Sequence, residues 1–374
     1  MKFLICGTLV PIKYETKIKC LSNAGNRFLT NFCSALKKQG KVVVQSYVGI
    51  PVEKDIQQAM DLECQDIKEI SYNYASKCKL RGVLQYQRAV KKQIKEVDYV
   101  VAYNAVYAWL FLPLWVKHEK KSVLILADYS PKESFQGVFR RLYALAQLKS
   151  IRKYDYVVGL SENVRGYLQV RQHFICMEGG IAQEFYDFYS EEKLRNDGKI
   201  IIQYAGVLEP VTGIDRLISA FSKIENSNYV LRVSGRGSLK ELVEKASDCD
   251  TRIEYLGCQP YEQYMKVLHE ADILINPRNM ELKENANNFP SKIMEYLATG
   301  KYIISTKFPG WERYDKYIDF CQSDVKSIKE QLVKTMENVK ERKNNLYVER
   351  RTFAEQFIWE RQIERFITFL DESE

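Results

Sequence analysis

Ile275–Thr306 reads INPRNMELKENANNFPSKIMEYLATGKYIIST. An apolar run ends at Asn276-Pro277 and a polar loop follows. Pro290 then stands where the first turn of a helix is expected, a place that needs no amide donor. The helix stops at Gly300, and Tyr302–Ser305 supplies strand residues at once. Strand, loop, helix, glycine, strand is one parallel βαβ step. The same alternation continues outward from it. Further strand candidates are Lys2–Cys6, Val42–Val48, Tyr99–Tyr103, Ser122–Ala127, Tyr156–Leu160, Ile200–Ala205, Tyr229–Ser234, Arg252–Leu256 and Ile273–Asn276, with helical windows such as Asn26–Gln39 and Ile214–Ile224 between them. The pattern predicts an α/β chain of parallel sheets covered by helices.

The alternation resets in AQEFYDFYSEEKLRNDGK (182–199), which is polar and carries no strand pattern; Ile200 then starts a fresh strand. The 374 residues suit two domains. We expect them at 1–182 and 199–352, with a C-terminal helix at about 355–372 returning to the first. Nine scattered cysteines without a Cys-x-x-Cys pair read as reduced thiols, and three distant histidines form no metal motif. The start MKFLICGTLVP is short for a signal peptide and reads as a first buried strand. Tyr99–Val116 lacks charge, but Asn104 and Pro113 interrupt it, so a strand and a short buried or interfacial helix are expected rather than a membrane span. These features point to a cytoplasmic protein.

Charge is unevenly spread. Residues 1–180 hold 28 Lys and Arg against 15 Asp and Glu; residues 181–374 hold 28 against 33. A basic first half suits an anionic partner: a membrane surface, a phosphorylated substrate or nucleic acid. Nucleic acid is the weakest of these, since no such motif accompanies the charge. Lys132–Lys153, KESFQGVFRRLYALAQLKSIRK, places Phe135, Val138, Phe139, Leu142 and Leu145 at helical spacing among basic residues. Such a helix can lie on an anionic membrane; an ordinary surface helix packed on the sheet is the alternative.

Glycines at strand ends mark candidate ligand turns: Gly7, Gly206 and Ser234-Gly235-Arg236-Gly237-Ser238. The helix start at Pro290 offers more. Free N–H groups and a partial positive charge bind phosphate oxygens there. Lys292 adds a full charge, Ser291 a hydroxyl, and Glu295 can accept both hydroxyls of a ribose. The set suits a nucleoside diphosphate. A capped core helix with incidental polar residues fits the same letters.

Taken together, GIDRLISAF (213–221), VSGRG (233–237), Leu256-Gly257, ADILINPR (271–278) and FPSKIMEYLATGK (289–301) resemble, in order, the C-terminal domain of family 4 glycosyltransferases of the GT-B fold, notably bacterial enzymes of surface-polysaccharide assembly. In the first half the likeness is thinner: Ala24-Gly25 before a helix, Ser161-Glu162, and FAEQFIWE around Trp359. The resemblance implies two Rossmann-like domains facing each other across a cleft. It implies a retaining hexosyl- or deoxyhexosyltransferase that takes a nucleotide-sugar donor and needs no metal or other cofactor. The acceptor would be a glycan or lipid-linked molecule in capsule or related synthesis, met on the inner face of the plasma membrane through the basic N-terminal domain.

By the same resemblance the donor would contact Gly25, Arg236, Arg278, Asn287, Phe289, Pro290, Ser291, Lys292 and Glu295, with Glu295 on the ribose and Lys292 stabilising the leaving diphosphate. Two positions depart from the family. Asn287 stands where its first donor-site glutamate falls, and Thr212 where a lysine is usual. They leave open a second expectation, a catalytically inactive relative that serves as a partner or targeting subunit. Asp128, after the Ser122–Ala127 strand, is placed to orient or deprotonate an acceptor hydroxyl; a loop-capping role suits it equally. Asp248-Cys249-Asp250 has the letters of a metal-binding D-x-D, but it sits in a polar loop of the wrong domain.

Overall fold

The computed structural model describes residues 1–7, 23–47, 87–88, 90–105, 110–116, 120–127, 129–130, 132–135, 137–192, 197–282, 285, 290–343 and 345–372. The chain divides into two compact units. One comprises Met1–Gly180 and Trp359–Glu374; the other comprises Ile181–Ala286 and Pro290–Ile358.

Strands of the first unit are β1 (Lys2–Gly7), β2 (Val42–Tyr47), β3 (Tyr99–Tyr103), β4 (Lys121–Leu126), β5 (Tyr156–Gly159) and β6 (His173–Cys176). They form one parallel sheet in the order β2-β1-β3-β4-β5-β6. The second unit holds β7 (Ile200–Ala205), β8 (Tyr229–Ser234), β9 (Ile253–Gly257), β10 (Ile273–Asn276), β11 (Tyr302–Thr306) and β12 (Asp319–Cys321). Their order, β12-β11-β10-β7-β8-β9, is the doubly wound Rossmann arrangement, whose direction reverses between β7 and β10. Parallel strands covered on both faces need apolar side chains on both sides, and β7 is buried at every residue.

The expected strands are present, with ends shifted by a residue or so. Two strands had no sequence expectation: β6 and β12. Both are short and lie at a sheet edge, where one side is unpaired and no continuous apolar run is required. Aspartates just ahead of strands pin their neighbours. Asp98 accepts from Lys2 N at 2.7 Å, Asp155 from Ser122 N at 2.8 Å, and Asp272 from Ile201 N at 2.8 Å. The Ala-Asp-Ile letters at 271–273 therefore fix the register of β10 against β7.

Helices used below are α1 (Asn23–Lys38), α2 (Val138–Ile151), α3 (Ile214–Phe221), α4 (Lys240–Cys249), α5 (Tyr261–Glu270), α6 (Lys292–Thr299), α7 (Val325–Glu341), α8 (Tyr347–Ala354) and α9 (Trp359–Glu372). The C-terminal stretch holds three helices, α7, α8 and α9; α7 ends at Arg342 with φ 51°, and a short turn at Glu355–Phe357 separates α8 from α9. In the first unit α9 lies along α1 through Phe28, Phe32, Trp359 and Phe366, whose rings meet edge to face. The polar segment after 181 carries a short helix, Gln183–Phe188. It is held in the second unit by buried Phe185 and by Tyr189, whose hydroxyl donates to Met265 O at 2.9 Å. Tyr99–Tyr103 is a strand and Leu112–Trp115 a short helix, residues 106–109 lie outside the described ones, and among the described residues no helix is long and apolar enough to cross a membrane.

Candidate functional site

In a doubly wound sheet, ligands collect beyond the carboxyl ends of the strands flanking the reversal, here β7 and β10. The chain leaves β7 through Gly206 and β10 through Pro277-Arg278. Gly213 has φ 72° and opens α3 with the Pro277 carbonyl against its Cα; a Cβ there would strike that oxygen. Asn279 N donates to Val211 O at 3.2 Å, and Asn285 Nδ2 donates to the same oxygen at 3.0 Å and to Asn279 O at 2.8 Å. Two loops far apart in sequence are thereby stitched into one wall.

Thr212 belongs to that stitching. It is buried, with Oγ1 2.9 Å from Val207 O and 2.7 Å from Glu209 O. A residue so placed closes the turn and supplies no charge. Glu209 in turn accepts from Ser238 N at 2.8 Å and from the Ser238 hydroxyl, bonds that hold its carboxyl below the usual range.

Lys292 supplies the charge. It is the first residue of α6, and its Nζ donates to Ala205 O at 2.7 Å while lying 4.9 Å from the centre of the Tyr204 ring. Gly206 makes this approach possible, since a Cβ there would stand 2.3 Å from Nζ, too close for both. Lys292 is partly exposed as a residue, and its ammonium lies against the Ala205 carbonyl and the Tyr204 ring. Burial, and secondly the positive charge of Arg278, lower its pKa to about 7; Glu295 opposes the shift. Arg278 is oriented by Asn285, whose Oδ1 accepts from Nη1 at 3.0 Å. Two cations therefore share one corner at the sheet reversal, each costing the other. An anion relieves that cost.

Glu295 lies one turn along α6, partly buried, and accepts from the Tyr264 hydroxyl at 2.5 Å. Tyr264, on α5, is driven well above the usual phenol range by burial and then by the Glu295 charge. Arg278 and Glu295 thus both act on the charge of Lys292. The far end of α6 is anchored by α8: Arg351 Nη1 donates to Ala298 O at 2.6 Å and Arg350 Nη1 to Gly300 O at 3.4 Å.

The other expected residues fall out differently. Helix α6 starts at Lys292, two residues after Pro290, because Pro290 O accepts from Ile293 N in a preceding turn. Ser291 is exposed and its hydroxyl makes no capping bond to the helix. Arg236 is exposed on the turn after β8, where its carbonyl accepts from Leu208 N at 2.9 Å. Gly25, expected ahead of a helix, is buried inside the first turn of α1 in the first unit. Asp128, Asn287 and Phe289 lie outside the described residues. Asp250 is engaged by Arg252 at 2.6 Å, which lowers its pKa through that hydrogen bond. Among the described residues no group of His, Cys, Asp and Glu is arranged to hold a metal.

Tyr204, Tyr264, Asn285 and the Ala205 carbonyl carry no motif of their own. Their partners Lys292, Glu295 and Arg278 are 7 to 88 residues away in sequence.

The model of the family glycosyl transferases group 1 matches residues 185–347. No curated protein matches the sequence. Solved structures similar in fold over the whole chain include a glycosyltransferase from Rickettsia africae, with TM-score 0.71, 16% identity, and 100% of this chain and 98% of that one covered. HepE from Anabaena, solved with UDP, has TM-score 0.70 and 14% identity, covering 99% of each chain. WaaG, a glycosyltransferase involved in lipopolysaccharide biosynthesis, has TM-score 0.63 and 14% identity, with 97% of this chain and 98% of that one covered. Residues 185–347 are thus similar to the glycosyl transferases group 1 family, and the chain as a whole has the GT-B fold.

Proposed function

We propose that the protein is a retaining glycosyltransferase of family 4. It moves a hexosyl or deoxyhexosyl group from a nucleoside-diphosphate sugar to a glycan or lipid-linked acceptor in the synthesis of cell-surface polysaccharide, such as capsule. One observation carries this reading: Lys292 and Arg278 act on one another at the carboxyl ends of β7 and β10, with Glu295 beside them. The diphosphate is the anion that corner fits. Its charge grows as the sugar bond breaks, so preorganised cations stabilise the transition state more than the ground state. Glu295 receives the ribose. UDP and UDP-glucose in HepE structures support a nucleotide-sugar donor. Positive side chains take the place of a metal ion, so transfer persists in EDTA. Asp128 remains the sequence-based candidate for the acceptor hydroxyl.

The protein works in the cytoplasm, held on the anionic inner face of the plasma membrane by its first unit. The outer face of α2 supports this. Val138 and Phe139 are 71% and 89% exposed, beside exposed Leu142, Arg140, Arg141 and Lys149. Phe135 precedes the helix, and the sheet side of α2 is instead Ala144, Ser150 and Ile151. Each basic group near an anionic surface contributes about 1 kcal/mol.

The inactive-relative reading draws on Asn287 and Thr212. Incubation of the purified protein with a panel of nucleotide sugars separates the two. Donor hydrolysis or transfer supports the enzyme; tight nucleotide binding with neither supports the inactive relative. No binding to any nucleotide would refute both.

A further inference from the structure

The Glu295 carboxylate is held from outside its own helix. Glu295 and Tyr264 are each half-buried, and the Tyr264 hydroxyl, reaching across from α5, donates to Glu295 Oε2 at 2.5 Å. Burial, and then the charge of Glu295, push that phenol well above its usual range, so the hydroxyl keeps its proton and stays a donor. A carboxylate offers about four acceptor positions, so one bond from Tyr264 does not use it up. A glutamate side chain has several rotatable bonds and gives up their freedom when it grips a ligand. A fixed donor on one of its oxygens settles part of that loss in advance.

Tyr264 is itself built in. Its ring lies 6.3 Å from that of Tyr261, at 27°, and 6.5 Å from that of Phe185. Phe185 is buried and packs on Tyr189, whose hydroxyl bond to Met265 O grips α5 at the next residue. Arg351 fastens the same segment: its Nη1 donates to Tyr186 O at 3.1 Å and its guanidinium lies 4.3 Å from the centre of the Tyr186 ring. The aromatic letters of 185–189 thus brace α5 where it meets Glu295. Covering the sheet would require only a ring at 264; the hydroxyl serves the carboxylate. Without it, Lys292, one turn back on α6, would draw the Glu295 charge toward itself. We propose that Tyr264 is a positioning residue of the donor site: it holds the Glu295 carboxylate where both ribose hydroxyls can reach it, and so makes the site prefer ribonucleotides to 2′-deoxyribonucleotides. The inference rests on the donor reading of Lys292, Arg278 and Glu295, and adds to it the residue that sets the choice of sugar within the nucleotide.

Calorimetry of the full chain tests it, with UDP, GDP and ADP each titrated beside its 2′-deoxy form. The wild type should bind the ribonucleotide about tenfold or more tightly, the usual worth of a hydrogen bond to a charged group. Tyr264→Phe keeps the ring and its packing. It should cut that ratio to about threefold or less, because the carboxylate must now be ordered by the ligand. Pyrophosphate, which has no ribose, should bind this variant as it binds the wild type. In a Glu295→Ala background the same substitution should change the ratio no further, because Tyr264 acts through Glu295. A purely structural role would weaken both nucleotide forms and pyrophosphate together and leave the ratio as it was. That result would overturn the inference, and so would equal wild-type affinities for the two forms, which depend on no variant. A wild type that binds none of the three nucleotides would sink the donor reading itself. One that binds them with a ratio that Tyr264→Phe leaves unchanged would sink only the role of Tyr264.

Discussion

Nucleotide binding should take up a proton, and the amount follows from the surroundings of Lys292. In the free protein its pKa is about 7, because burial and Arg278 disfavour the ammonium. A diphosphate beside it reverses the balance and returns the group toward the ordinary lysine value of about 10.4. At pH 8 the free lysine is then about nine-tenths neutral and the bound one almost fully charged, so about 0.9 proton enters with the ligand. The complex binds more protons than its parts, so raising the pH weakens binding. The loss is about 50-fold between pH 7 and pH 9, and affinity is nearly flat below pH 6 on this account. The terminal phosphate of the nucleotide titrates near pH 6, and pH 8 keeps its contribution small. Calorimetry of UDP binding at pH 8, in buffers of different ionisation enthalpy, gives the proton number as a slope. Lys292→Met should show no uptake and a pH-independent, much weaker affinity. Wild-type binding with zero proton uptake, or with equal affinity at pH 7 and pH 9, would mean that Lys292 does not meet the ligand in this way.

Without ligand the same lysine should lower stability. Its folded pKa lies below the unfolded value, so the unfolded chain holds more protons between pH 7 and about pH 10.4, and stability rises with pH over that window. Lys292→Met should therefore raise stability at pH 7 by about 1–3 kcal/mol, discounted for its partial exposure, and abolish transfer; denaturant melts and turnover measure the two. Gly206→Ala should weaken UDP binding about tenfold or more by displacing the Lys292 ammonium, and should lower the melting temperature because a Cβ is strained at its φ of 157°. Unchanged affinity would place the ligand elsewhere. Glu295→Gln keeps an acceptor for Tyr264 but loses its charge, so UDP affinity should fall about tenfold while the melting temperature stays close to that of the wild type. A large drop in melting temperature with unaltered affinity would make Glu295 a structural residue.

What was legible in the sequence divides along a physical line. Central strands of a parallel sheet are buried on both faces and must be written in continuous apolar letters, so β7 and β10 read directly as IIIQYA and ILIN. Edge strands β6 and β12 carry no such demand and left no pattern. The site divides likewise. Lys292, Arg278 and Glu295 stand on or beside one local βαβ step, so their proximity follows from helix and strand geometry. Long-range contacts decide what they do. A glycine was legible at 206, but not that its missing Cβ makes room for a lysine that reaches the carbonyl of Ala205. Thr212 looked like a lost cation; its buried hydroxyl instead closes the turn after β7. The positive charge absent there is concentrated across the sheet reversal in Lys292 and Arg278, where burial makes it costly. A chain that stabilised its fold alone would not bring a lysine and an arginine together at that point. The cost is tolerable if an anion with two or more charges regularly occupies the corner, and the carboxyl end of a doubly wound sheet is where such an anion is bound.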